Sequence, residues 1–275
     1  MRVLILHDRV TAVDGPDSRD VLDQAAAVTG ALTTLGHTVD RLDCDLDLAA
    51  LATELRQRQP ELVFNLVESL GGSGRLIHLV PACLETLGVP YTGCRADALL
   101  LTSNKLLAKR WLQGAGLPVP AWVEPGDDDL PPGAADWIVK SVWEHASIGL
   151  DANSLVRGRA GRTVRELLPE RARRLGGVCF AEHYIEGREC NLALLAGPHG
   201  PELLPPAEIV FDNFPPGMPR ILDYRAKWDE QSFACRHTRR SFDFPPADGP
   251  LLARLKQLAL ACWRIFRLNG YARVD

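Results

Sequence analysis

Along the first ninety residues, apolar positions switch between a strand-like and a helix-like rhythm. "RVLIL" (residues 2–6) is a short apolar run that meets charge immediately afterwards, as a buried strand does. "VLDQAAAVTGALTTLG" (21–36) carries apolar residues at helical spacing and stops at Gly36. "HTVDRLD" (37–43) and "LVFNLV" (62–67) read as two further strands, and "LIHLVPACLETLG" (76–88) as a helix closed by Gly88. This order predicts a small parallel sheet with helices on its faces.

The pattern changes after Pro90. Asn104 is placed to cap a helix whose first turn holds Lys105, and Pro118 and Pro120 force an extended exit from it. A short apolar strand carrying Lys140 follows, then a polar loop through Gly149, then a second strand. "TVRELL" has the spacing of a capping box, from Thr163 to Glu166. "VCFAEHYIEGRECNLALLAG" (178–197) reads as two strands joined by a tight turn at Gly187. In "LLARLKQLALACWRIF", Leu251, Leu255, Leu258, Cys262 and Ile265 share one stripe, so a core-facing helix is expected. A strand starts at Tyr271, and its alternation puts Arg273 and Asp275 on one face.

Composition narrows the function classes. With 275 residues, 46% hydrophobic and 24% charged, the chain has enough material for two or three lobes. A net charge of −4 with scattered arginines gives no nucleic-acid footprint, and no apolar stretch of about 18 residues suggests a membrane span. The four-residue apolar run at the N-terminus is too short for a secretion signal. Seven cysteines without a CxxC pair fit the reduced thiols of a cytoplasmic protein. The turn after the first strand, "HDRVTAVDG", lacks GxGxxG, which argues against a dinucleotide oxidoreductase; "LGGSG" (70–74) is read as a flexible turn. "RARR" (171–174) reads as a solvated helix face. "CRHTRRSFDFP" (235–245) reads as a loop whose Arg239 and Arg240 could meet a substrate carboxylate. Lys105 and Lys140, together with Glu182 and Glu189, have the makings of a nucleotide site.

The motifs "VPYTGC…NKLLAKRWLQGAGLPVPAW", "WIVKSVWEHASIGL", "AEHYIEGREC", "DYRAKW" and "GYARVD" occur in an order that resembles the D-alanine–D-alanine ligase branch of the ATP-grasp ligases. The resemblance covers nearly the whole chain and is strongest from residue 89 onward. It implies an α/β (α+β) architecture, a three-lobed ATP-grasp fold with an N-terminal Rossmann-like parallel-sheet lobe. The lobes are expected at 1–93, 94–184 and 185–275, the last incomplete because the family's following strand, with a Glu-x-Asn pair, is not in the sequence. The expectation is therefore of a C-terminally truncated piece that is incomplete for catalysis.

Carried over by position, the resemblance implies ATP and Mg²⁺ as cofactors. Lys105 and Lys140 meet the phosphates, and Lys227, in the charge-rich loop "DYRAKWDEQS" (223–232), folds over the terminal one. Glu182, His183, Tyr184 and Ile185 form an edge strand whose backbone reads adenine, and Glu189 accepts from the ribose hydroxyls. Arg273 stabilises an oxyanion and Asp275 is a magnesium ligand. The loop from Glu144 to Gly149 closes as a lid, with Ser147 in the catalytic set. Where the family's lid has the serine that helps hold the first D-alanine, this chain has Ala146, and at the partner tyrosine it has Trp228. For the substrate amine, Asp14, Asp17, Asp20 and Glu68 all stand as candidates. The expected activity is ADP-forming ligation of small amino-acid or peptide substrates, whose acid and amine need not be D-alanine; a homodimer is allowed. The alternative is a non-catalytic ATP- or ADP-binding protein.

Overall fold

The computed structural model describes residues 1–127, 136–157 and 161–275, with the backbone alone at 161–163; the Thr163 capping reading therefore lies outside the described side chains. The chain packs as two compact units. One comprises Met1–Ser103, Leu195–Glu202 and Phe266–Ala272, the other Asn104–Leu194, Leu203–Ile265 and Arg273–Asp275.

The first unit holds β1 (Arg2–Asp8), α1 (Pro16–Thr34), β2 (Thr38–Cys44), α2 (Leu48–Arg58), β3 (Leu62–Asn65), α3 (Leu79–Leu87) and α4 (Ala96–Ser103). Its sheet is parallel in the order β2-β1-β3, as expected, with Ile5 opposite both Arg41 and Phe64. Val3 to Leu6 are all buried because β1 is the central strand, which is why their run is unbroken rather than alternating. Helix α1 begins at Pro16, earlier than its apolar stripe, because proline is well suited to a first turn that has no N–H partner. Helices α2 and α4 were not anticipated; in α2, only Leu51 and Leu55 are buried, one turn apart. The expected helix at 76–88 is shorter, because Pro81 needs a place in the first turn of α3.

The remaining elements are α5 (Lys105–Gly114), β4 (Trp122–Val123), β5 (Trp137–Ser141), β6 (Leu155–Val156), α6 (Gly161–Leu175), β7 (Cys179–His183), β8 (Glu189–Gly197), β9 (Gly200–Leu203), β10 (Ala207–Phe211), α7 (Tyr224–Trp228), α8 (Phe233–Arg236), β11 (Thr238–Ser241), α9 (Gly249–Ile265) and β12 (Tyr271–Val274). One antiparallel sheet runs β4-β7-β5-β6; a second sheet runs β11-β10-β8-β12, antiparallel at β11/β10 and β10/β8, with β9 beside β8. The α/β class is thus as expected. Helix α6 packs Val164 and Leu168 onto Val123, Val139 and Ala181 of the first of these sheets. Across the second, α9 sets Ala259 and Leu255 against Leu192 and Leu194.

Three local readings are corrected. Strands β7 and β8 do not form a hairpin; they belong to different sheets, and residues 184–188 carry the chain from one to the other. Residues 224–228 form the short helix α7, capped by the Asp223 carboxylate accepting from the Ala226 N–H. Residues 238–241 are a strand, and Arg239 pairs with Asp212 instead of standing free in a loop.

Candidate functional site

The capping of α5 by Asn104 sets the first cation. The Asn104 carboxamide accepts from the N–H groups of Leu106 and Leu107, as expected, so the helix starts with Lys105 in its first turn. Leu106 then packs with Val142 and Phe180, which lays this side of α5 on β5 and β7. Lys105 Nζ donates to the Glu144 carbonyl. Burial and the neighbouring Lys140 ammonium push Lys105 down to about 8, against the pull of Glu144 and Glu182.

In the β5/β7 register, Lys140 lies opposite Phe180 and Ile138 opposite Glu182. Lys140 and Glu182 are therefore diagonal neighbours on one face, and Lys140 Nζ reaches Glu182 Oε1 at 2.6 Å. Lys109, one turn after Lys105, takes Glu182 Oε2, also at 2.6 Å. Burial by itself would raise the Glu182 carboxyl, but the ammonium groups of Lys140 and Lys109 outweigh it and hold the carboxyl below its ordinary value. Lys109 was not singled out from the sequence. Its spacing of i+4 from Lys105 on an otherwise apolar helix face was the available signal.

The edge-strand reading of residues 182–185 is corrected. Strand β7 lies inside its sheet, between β4 and β5. The His183 N–H donates to the Ala121 carbonyl and the Tyr184 N–H to the Asp136 carbonyl. Ladder bonds therefore occupy these amides, and Ile185, two-thirds exposed, is the first residue beyond them. The ring of His183 meets Trp137 edge-on at 4.6 Å. At the start of β8, burial and the Asp275 carboxylate push Glu189 up, against Lys140, Arg273 and Lys227. Those charges surround Glu189, and Lys105, Lys140, Glu182, Glu189, Lys227, Arg273 and Asp275 all fall within the second unit.

The expected lid is latched in this structure. Ala146 and Ser147 both take left-handed backbone conformations (φ 54° and 63°), which cost energy in residues with a side chain. Two hydrogen bonds hold them there: Trp228 Nε1 donates to the Ala146 carbonyl at 2.9 Å and Ser147 Oγ to the Leu222 carbonyl at 2.7 Å; further along the loop, the Tyr224 N–H donates to the Leu150 carbonyl. Gly149 (φ 75°) sits in the left-handed region, where a side chain would be strained, and a Cβ there would also press on the Leu175 side chain. Lys227 stands 5.5 Å from the Trp228 ring centre. The loop's far end is fixed by Arg171, which grips both oxygens of Asp151 and also reaches the Gly149 carbonyl. The solvated-face reading of 171–174 is thus wrong for Arg171, which is buried; Arg174 remains exposed but also bonds Asp151.

Arg273 and Asp275 do lie side by side. Arg273 donates to both Asp275 oxygens, at 2.7 and 2.9 Å, and Asn191 Nδ2 donates to Oδ1. Among the described residues, no three His, Cys, Asp or Glu side chains are grouped to hold a metal. With both Asp275 oxygens engaged by a cation, these side chains do not by themselves make an octahedral Mg²⁺ site.

The candidate amine-holding acids separate by role. Asp14 accepts from the Thr11 N–H and hydroxyl and so shapes the turn before α1. Gln24 bridges Asp20 and Glu68, and Asp8 accepts from the Glu68 N–H and the Ser69 hydroxyl. Glu68 and Asp20 thus share a cluster, while Asp17 occupies the first turn of α1. All seven cysteines are free thiols, and among the described residues no helix is long and apolar enough to cross a membrane.

No family model matches the chain. A D-alanine–D-alanine ligase of Oleidesulfovibrio alaskensis is 32% identical over 282 residues, covering all of this chain and 81% of that protein. One from a Synechococcus strain is 30% identical, with 92% of this chain and 74% of the other covered. Among solved structures, the D-alanine–D-alanine ligase of Bacillus anthracis complexed with ATP superposes with a TM-score of 0.71 at 18% identity, covering the whole chain and 81% of that protein. The D-alanyl-alanine synthetase A of Vibrio cholerae gives 0.70 at 13% identity, over 99% of this chain and 83% of its own length. With the fold, the order of motifs and this identity over the full chain in agreement, the protein is a ligase of the D-alanine–D-alanine ligase family.

Proposed function

We propose that the protein joins small amino-acid or peptide substrates in an ATP-dependent, ADP-forming carboxylate–amine ligation through an acyl phosphate. The observation that carries this reading is the gathering of Lys105, Lys140, Lys227, Glu189 and Arg273 in one unit. A substrate carboxylate attacks the γ-phosphate and ADP leaves; an amine then attacks the acyl carbon and phosphate departs. Lys105 and Lys140 hold the phosphates and Lys227 neutralises the terminal one. The Glu189 carboxylate accepts from the ribose hydroxyls. The segment from Glu182 to Ile185 borders the adenine, which Ile185 meets beyond the ladder. The latched loop, with Ser147 in it, keeps water from the acyl phosphate. Arg273 faces the charge that develops at the acyl oxygen. Mg²⁺ is taken to arrive with ATP, which supplies most of its oxygens, and Asp275 is its proposed protein contact; no step above depends on it.

Glu68, with Asp17 as the second candidate, is assigned to the substrate amine. Trp228 is a further substrate-side group, but its N–H is already given to the Ala146 carbonyl. Neither it nor Ala146 offers a hydroxyl to a substrate, so we assign the acid and amine to compounds other than a pair of D-alanines. The free cysteines support a cytoplasmic setting, and the assembly, monomer or homodimer, does not enter the chemistry. A panel of D- and L-amino acids and dipeptides, scored by ADP and phosphate release, tests the proposal. The expected result is substrate-dependent release that is weak or absent with D-alanine alone; strong activity with D-alanine alone overturns the substrate assignment. The second reading, a nucleotide binder without turnover, is favoured by the Arg273–Asp275 pair, which occupies the guanidinium meant for an oxyanion. Nucleotide binding with no release across the panel would establish it.

A further inference from the structure

In the second unit, the nucleotide reading gives Lys109 no role, although it lies within a cluster of charges that reading does use. Three ammonium groups, of Lys105, Lys109 and Lys140, crowd around one buried carboxylate, Glu182. Its two oxygens are divided evenly, Oε2 to Lys109 and Oε1 to Lys140, at 2.6 Å each. The two lysines differ in surroundings. The Lys109 side chain is 9% exposed, donates also to the Pro120 carbonyl at 3.0 Å, and lies over the Trp122 ring; the Lys140 side chain is 33% exposed. Lys109 is thus fixed from three sides, whereas Lys140 bonds Glu182 and keeps a solvent-facing side.

A lone buried carboxylate beside a lone lysine would form a closed pair, and an incoming phosphate would have to compete with the whole carboxylate charge. With half of Glu182 already bound to Lys109, the pull on Lys140 is divided. We propose that Lys109 is a positioning residue for nucleotide binding: by holding Glu182 Oε2, it keeps the Lys140 ammonium only half committed, and so available to a phosphate. This rests on the reading of Lys140 as a phosphate contact. Lys109 itself touches no nucleotide; it acts through Glu182.

The test is calorimetric titration of ADP into the purified protein and its variants, with circular dichroism to check folding. K109M keeps the length of the buried stem and removes the charge. It is expected to bind ADP at least about fivefold more weakly than wild type. The double variant K109M/E182Q removes the carboxylate that lost its second partner, and is expected to regain most of that affinity. A merely structural lysine would not give this rescue. Wild-type affinity in K109M overturns the proposal, as does a K109M defect that E182Q leaves in place. Should K109M fail to fold, E182Q alone decides: affinity equal to or above wild type supports the division of charge, and clearly lower affinity overturns it. Absence of ADP binding by the wild type would instead count against the nucleotide reading itself.

Discussion

Lys105 shows how one residue reports on the whole site. Its pKa is about 8 in the folded protein, below the ordinary lysine value of 10.5, so the folded form releases a proton that the unfolded form still holds between those two limits. Stability attributable to Lys105 therefore rises with pH across that window, because the unfolded state binds more protons there. For a polyanionic ligand the sign is opposite: affinity falls as pH rises through about 8 and the cation is lost. Titrations of ADP at stepped pH should show this decline in wild type. Lys105→Arg, which stays charged, should bind with little pH dependence over the same range. Glu189→Ala should weaken ADP binding by about tenfold, the scale of losing hydrogen bonds to a charged acceptor; unchanged affinity would remove the ribose assignment.

At the scale of elements, the loop 144–150 is defined by what grips its two ends. Its first half hangs from the Leu222 carbonyl and from Trp228 of α7, and its far end from Tyr224 through Leu150 and from the buried Arg171 of α6 through Asp151. Burial would raise the Asp151 carboxyl, but Arg171 and Arg174 hold it at about 2. Its contribution to stability is thus present above its ordinary value of 3.8 and lost as pH falls through about 2. Arg171→Met should destabilise the protein by about 2 kcal/mol, less than for a fully buried pair because Asp151 keeps Arg174. Denaturant unfolding at neutral pH measures this, and the variant should also lose part of the acid-dependent loss of stability. Trp228→Phe keeps the ring and removes the N–H. It should leave ADP affinity close to wild type, while substrate-independent ATP hydrolysis rises several-fold as the loop loosens and admits water.

For the whole molecule, nucleotide binding should appear as added stability. A ligand at about 100 times its Kd adds about 2.7 kcal/mol to the state that binds it. ADP should therefore raise the thermal midpoint of wild type, and the same concentration should do less for Glu189→Ala. The unit holding Lys105, Lys140, Glu189 and Lys227 is the one expected to gain protection in hydrogen exchange. Protection confined to residues 1–103 would contradict the placement of the nucleotide.

What the sequence determined by itself was whatever depends on near neighbours. The unbroken run Val3–Leu6 specified a buried strand, Asn104 specified the start of α5, and strand alternation put Arg273 beside Asp275. The order of its motifs also specified the family. Tertiary structure decided the pairings that span long stretches of chain. Lys140 meets Glu182 across 42 residues and Trp228 meets Ala146 across 82, and no local period encodes either distance. An arginine on a polar helix reads as solvated until a carboxylate from another segment covers it, as Asp151 covers Arg171. A strand reads as an edge until its neighbours are placed, and β7 became interior only once β4 and β5 flanked it. The physical reason is the same in each case. Periodicity records which side of an element is buried, whereas the partner that satisfies a buried charge or amide is chosen when separate elements pack together.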